Sequence, residues 1–254
     1  MTQNGKTNPQ PSILEQILTE IQKPFANGKK RISIFDLDST LFDVSPRLQQ
    51  ILKDFAEHPN HIKKFPELVS LVAKAKPHRL DWGIKQSLER VGLENAPREF
   101  QETIRDFWRT HFFSDDYLYH DVPYAGAVEF VNTLHRAHVE IIYLTGRDQL
   151  RMGKGSPEVL QKWNFPLNSK NAKLVLKPDR TMNDALFKKE WLTSLNKSEY
   201  SNIWFFENEP LNIIEVDQHI PEIDIIFFDS THSGQADVPT HLPRIKDFSI
   251  LKEV

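Results

Sequence analysis

From residue 31 the chain reads Arg-Ile-Ser-Ile-Phe, a short β-branched and aromatic run that stops at Asp36. Similar runs follow at residues 139–144, 172–176, 202–206 and 223–228. They are strand-length and mostly unbroken by charge, the pattern of strands buried on both faces of a parallel sheet. Between them apolar residues recur at helical spacing, as over residues 125–137 and 184–195. Strand and helix in alternation predict an α/β protein with right-handed crossovers, here a Rossmann-like parallel sheet of about five strands flanked by helices. Ahead of the first strand, Ile13, Leu14, Ile17, Leu18 and Ile21 predict a packing helix within residues 12–25, and Ser12 with Glu15 has capping-box spacing. Residues 1–11 are polar and Pro-containing and read as a disordered tail.

One interval breaks the alternation. About a hundred residues separate Asp36 from Val139, too many for an unstructured connection. Four helical patterns fill residues 45–121, at 46–55, 65–75, 80–91 and 97–113. The expected division is therefore a core domain of residues 12–44 and 122–254, with a helical insert of residues 45–121 after the first strand.

Composition narrows the partners. Apolar residues make up 39% and charged residues 26%, as in globular proteins, and the net charge of −3 asks for neither nucleic acid nor an anionic membrane. No run of eighteen apolar residues suggests a membrane span, and the N-terminus lacks the apolar core of a signal peptide. The chain has no cysteine, so disulfides, thiolate metal sites and a cysteine nucleophile are excluded; that agrees with a cytoplasmic location.

In open α/β sheets, ligands bind outside the carboxyl ends of the strands. The residues that follow each expected strand are Asp36-Leu37-Asp38-Ser39-Thr40, then Thr145-Gly146-Arg147-Asp148, then Lys177-Pro178-Asp179 with Lys188 in the next helix, then Glu207-Asn208-Glu209, then Asp229-Ser230-Thr231. Two carboxylates two residues apart in a half-buried cleft repel each other and call for a cation. Hard oxygen ligands suit Mg²⁺. A carboxylate can attack phosphorus, and a second can protonate the leaving oxygen and then activate water. These residue types point to metal-assisted phosphoryl transfer; the leading expectation for its substrate is a small phosphorylated metabolite.

The motifs Ile-Phe-Asp-Leu-Asp-Ser-Thr-Leu (34–41), Leu-Thr-Gly-Arg-Asp (144–148), the helix-start lysine of 184–192 and Phe-Glu-Asn-Glu-Pro (206–210) come in the order found in the haloacid dehalogenase superfamily, which the chain resembles from about Arg31 to Phe228. The resemblance implies a magnesium-dependent phosphomonoesterase whose helical cap is the insert of residues 45–121. It makes Asp36 nucleophile and metal ligand, and Asp38 acid/base with its backbone carbonyl on the metal. Thr145, with Gly146, Arg147 and Lys188, would hold the phosphoryl group. Asn208 would be a further metal ligand. Lys177 rivals Lys188, and Glu207 or Glu209 rivals Asn208. The Thr-Gly-Arg and Leu-Lys-Pro-Asp stretches also resemble polynucleotide phosphatases of this superfamily, and a non-catalytic phosphate-binding protein is a third reading.

Other features read more plainly. Arg47 could reach a phosphate but is expected to be a solvated helix-start residue. The basic stretch from Lys63 to Arg79 is expected to be a solvated face. His58, His61, His78, His111 and His120 match no metal spacing and are expected on the surface or in packing. Trp82, Trp108, Phe112 and Phe113 are expected in the core of the insert.

Overall fold

A computed structural model of the chain describes residues 12–25 and 28–250; the tail expected over residues 1–11 lies outside them. The first helix is α1 (Ile13–Ile21). Its N-terminus carries the expected box, in which the Ser12 hydroxyl accepts the Glu15 N–H and the Glu15 carboxylate accepts the Ser12 N–H at 2.6 Å. Next come β1 (Lys30–Phe35) and the short β2 (Phe42–Asp43). Then follow α2 (Ser45–Glu57), α3 (Pro59–Lys64), α4 (Pro66–Val72), α5 (Lys85–Glu89), α6 (Arg98–Phe112) and α7 (Asp115–Leu118). The chain returns through β3 (Val122–Pro123), α8 (Ala127–Arg136), β4 (Glu140–Asp148), α9 (Gln149–Met152) and α10 (Gly155–Lys162). It ends with β5 (Ala172–Lys177), α11 (Asp184–Ser194), β6 (Tyr200–Glu207), α12 (Pro210–His219), β7 (Asp224–Phe228) and β8 (Arg244–Ile245).

The main sheet has the order β5-β4-β1-β6-β7-β8, and every neighbouring pair is parallel. The sheet thus has six strands rather than about five. The sixth, β8, is two residues long, too short to leave a pattern in the sequence. β2 and β3 form a separate antiparallel pair, with Asp43 opposite Val122, which brings together the two ends of the helical segment.

Side chains alternate across β1. Ile32 and Ile34 pack with Phe187, Leu192, Ile213 and Val216 of α11 and α12. Phe35 packs on the other face with α1, α8 and α10, its ring stacked on Phe206 at 4.7 Å between centroids. Both faces are covered, which is why these strands carry little polarity. A third apolar cluster belongs to the helical segment alone and includes Leu48, Leu52, Phe55, Val69, Phe100 and Ile104. Each fully buried side chain of this kind contributes about 1.5–3 kcal/mol.

The helix expected over residues 80–91 shrinks to the five residues of α5. Gly83 at φ 72° and Gly92 at φ 82° lie in the left-handed region on either side of it and stop the helix. Among the described residues no helix is long and apolar enough to cross a membrane.

Candidate active site

β1 sits in the middle of the sheet, where chain order reverses between β4 on one side and β6 on the other. This is the switch point at which open α/β sheets form a crevice. Asp36 is the first residue beyond β1 and is held by its N–H to the Phe206 carbonyl at 3.0 Å. The chain then turns tightly. The N–H groups of Thr40, Leu41 and Phe42 all donate to the Leu37 carbonyl, and Ser39 adopts φ 62°. The Ser39 carbonyl accepts the Ser230 hydroxyl at 2.5 Å, which ties this turn to the exit of β7.

Asp36 is 5% exposed. Its Oδ1 accepts from Lys188 Nζ at 2.5 Å, and Lys188 donates also to Glu207 Oε2 at 2.7 Å. Lys188 projects from α11, which Asn183 caps by accepting the Leu186 N–H. Glu207 is fully buried and all its remaining capacity is used: Oε1 accepts the N–H groups of Asn208 and Glu209, and Oε2 accepts from Asn212. Burial pushes the Asp36 carboxyl up to about 7; Lys188 opposes this, and the Glu207 charge adds to it. Burial alone would lower Lys188, but the two carboxylates raise it above its ordinary value.

A second network holds Asp38. Its Oδ1 accepts from Arg47 at 2.7 Å and from Arg147 Nε and Nη2 at 3.1 and 2.5 Å. Both arginines also bind Asp121, Arg47 at 2.7 and 2.6 Å and Arg147 at 2.7 Å. Burial would raise Asp38, yet Arg147 and Arg47 together hold it below the ordinary carboxylate range. Arg47 is fully buried, which corrects the expectation of a solvated helix-start residue. Its fork of donors satisfies two carboxylates and the Phe112 carbonyl at once. Asp121 carries no signal in the sequence, being a lone acid just before β3.

Other expected residues fall around the same cavity, about 560 Å³ in volume, which Asp36, Asp38, Thr145, Arg147, Lys188 and Asn208 all line. Thr145 is buried, and its hydroxyl accepts the Arg147 N–H at 3.3 Å. Gly146 also lines the cavity; a Cβ there would lie 2.5 Å from the Asp184 carboxylate. Lys177 pairs with Asp184 and donates to the Met182 carbonyl rather than reaching Asp36. Asn208 accepts the Thr40 hydroxyl at 3.1 Å and donates to the Thr231 carbonyl at 2.6 Å, so its Oδ1 keeps one lone pair. Glu209 is taken up by the Ser233 hydroxyl and N–H. His61 stacks on Phe55 and His111 on Phe107, while His58 meets Phe107 edge-on, as packing residues would.

The donor set suits a small divalent cation in one respect. Four carboxylates (Asp36, Asp38, Asp121, Glu207) face three cations (Lys188, Arg47, Arg147) in the two networks, leaving one negative charge in excess beside Asp36. No group of three or more His, Cys, Asp or Glu placed to hold a metal occurs among the described residues. One carboxylate, a backbone carbonyl and an amide oxygen are nevertheless enough for Mg²⁺, which keeps several of its waters.

The family model for haloacid dehalogenase-like hydrolases matches residues 31–166, more than half of the chain. No curated protein matches by sequence. Among solved structures, a haloacid dehalogenase-superfamily hydrolase of subfamily IA from Geobacter sulfurreducens is 12% identical, with a TM-score of 0.50, 87% of this chain covered and 94% of that one. A superfamily hydrolase from Ehrlichia chaffeensis is 14% identical over 88% of this chain and 94% of its own, at a TM-score of 0.44. A haloacid dehalogenase-like family protein from Streptococcus pneumoniae is 10% identical over 78% and 84%, at 0.45. At such identities the likeness concerns the fold.

Proposed function

The chain belongs to the haloacid dehalogenase-like hydrolases, and we propose that it hydrolyses phosphate monoesters with Asp36 as the nucleophile. The observation that carries this reading is the asymmetry of Asp36. Lys188 occupies Oδ1, while Oδ2 has no donor among the described residues and belongs to a residue that lines the cavity. One oxygen is fixed and the other is open to a substrate.

In this reading Oδ2 attacks phosphorus, the bond from phosphorus to the ester oxygen breaks, and the alcohol leaves with its electron pair. Water then attacks the aspartyl-phosphate, releases inorganic phosphate and restores Asp36. Lys188 offsets the charge gathering on the phosphoryl oxygens, and the Thr145 hydroxyl and the backbone at Gly146 orient them. Asp38 lines the cavity; two guanidinium groups hold its Oδ1, and Oδ2 has no donor among the described residues. With the phosphate dianion bound beside it, Asp38 carries the proton that it gives to the departing oxygen; the carboxylate left behind then takes a proton from the attacking water. Arg147 acts by fixing Asp38 and lines the same cavity as the phosphoryl group.

Asp36, the backbone carbonyl of Asp38 and Asn208 Oδ1 would hold Mg²⁺. Bound there, the ion would supply the positive charge that the two networks lack and polarise the phosphoryl group. Glu207 and Glu209 are not assigned this part, because their oxygens are already engaged. Residues 45–121 would act as the cap, with the β2–β3 pair as its two-stranded base. The test is turnover of an aryl phosphate with added Mg²⁺ by wild type and by Asp36→Asn, with acid-quench trapping of the phosphorylated chain. Equal turnover by the two proteins would end the reading.

A further inference from the structure

We propose that the alcohol part of the substrate is a hydrocarbon body, not a sugar or a nucleoside; this rests on the phosphomonoesterase reading. The cavity that begins at Asp36, Thr145 and Lys188 continues without a break into the helical segment. There its walls are Leu48, Leu88, Leu93, Ile104, Trp108 and Phe112, drawn from α2, α5, α6 and the turn between the last two. At about 560 Å³ the space is that of a small-molecule site, and its catalytic end needs only part of it.

Apart from the buried Trp108 indole N–H, which has no hydrogen-bond partner among the described residues, the polar groups that the helical segment contributes to this wall are spoken for or stand at its edge. Asp81 accepts from Arg90 and from the His78 N–H. Lys85 faces Glu89 at 3.7 Å, and the Gln101 amide donates to the Ala96 carbonyl. Glu94 and Arg105 are exposed. A sugar or nucleoside inside would give up water from its hydroxyl and amide groups and find few partners. A hydrocarbon loses nothing there and gains by leaving water. Among the charged residues of that edge stands one large apolar side chain: Trp82 lines the cavity while 50% exposed, and Leu80, two positions before it, is 57% exposed. A large apolar side chain kept half in water at a cavity mouth marks a binding surface rather than a core.

The experiment compares n-alkyl phosphates from ethyl to hexyl, whose leaving groups are alike, with Mg²⁺ present. The expected kcat/KM rises about threefold per methylene, to roughly a hundredfold across the series, while glucose 6-phosphate and AMP are no better than ethyl phosphate. Leu88→Trp, which fills the chamber, should cut the hexyl-to-ethyl ratio at least about tenfold. A check independent of that variant's folding uses the unmodified chain: 1-hexanol should bind with one-to-one stoichiometry in calorimetry and compete with hexyl phosphate. A flat alkyl series with measurable turnover, or preference for the sugar phosphate or nucleotide, would overturn the inference and leave the phosphomonoesterase reading standing. Hexanol binding with no ester turned over would support the chamber and remove the phosphomonoesterase reading instead.

Discussion

At the strand exits, charged and amide side chains are buried and matched to one another; in the helical segment, the same cavity is walled by Leu, Ile, Phe and Trp. The two regions follow different rules. Around Asp36 and Asp38 position is set by directional bonds, each with a named donor and acceptor, so removing one partner strands another in a medium that screens poorly. Around Leu88 and Trp108 position is set by volume, and neighbours can shift to absorb a change. A chemistry that must not vary is built where geometry is rigid. A preference among substrates is built where packing can drift.

The sharpest way to break this contrast is at its rigid end. Asp36→Asn keeps the shape and removes the oxygen proposed to attack, so turnover of an aryl phosphate should fall by about four orders of magnitude or more. Activity within tenfold of wild type would move the nucleophile elsewhere. Next in size is Lys188→Met. It leaves Asp36 and Glu207 buried without their shared ammonium, and urea unfolding should show a loss of about 3–5 kcal/mol. Leu88→Ala, in the half-buried apolar wall, should cost no more than about 2 kcal/mol. If the two losses were equal, the claim that the regions differ in rigidity would fail.

A pH experiment sharpens the same point. Burial raises Asp36 from an ordinary 3.8 to about 7. Between those values the folded metal-free chain keeps a proton that the unfolded chain has released. This group therefore favours folding fully below about pH 4, and its contribution declines as pH rises to 7, by up to about 4 kcal/mol. Melts of wild type and Asp36→Asn in chelator-treated buffer isolate the effect: the variant should gain on wild type between pH 5 and 7. A constant difference across that range would contradict it. Added Mg²⁺ should stabilise wild type more at pH 7 than at pH 5, since the ion competes with the proton.

Much of the rigid end was legible in the sequence because a parallel sheet delivers all its carboxyl ends to one edge. Residues directly after Phe35, Leu144 and Phe206 had to converge once those runs were read as neighbouring strands. Lys188 could be anticipated as a helix residue near that edge, but its choice over Lys177 needed coordinates. Arg47 and Asp121 were not legible in their roles. They lie 74 positions apart, at opposite ends of the helical segment, and the β2–β3 pairing helps bring those ends together. The apolar chamber was hidden for another reason. Leu88, Ile104 and Trp108 have the same helical spacing whether they fill a core or line a cavity.

The smallest expected effect tests which lysine matters. Lys177 extends β5, and its ammonium is shared between Asp184 and the Met182 carbonyl. The Asp184 side chain is 53% exposed, so water can replace the lysine, and Lys177→Ala should cost within about 1 kcal/mol of stability. Asp184 rests against Gly146, so loosening it should disturb substrate placement slightly, raising KM a few-fold with kcat nearly unchanged. Lys188→Ala removes charge from beside Asp36 and should lower kcat by about two to three orders of magnitude. The two variants share residue type, chemistry and proximity to the cavity; they differ in whether the ammonium touches Asp36. If Lys177→Ala proved the more damaging in kcat, contact with Asp36 would not be what makes a lysine important here, and the site would have to be rebuilt around the exit of β5.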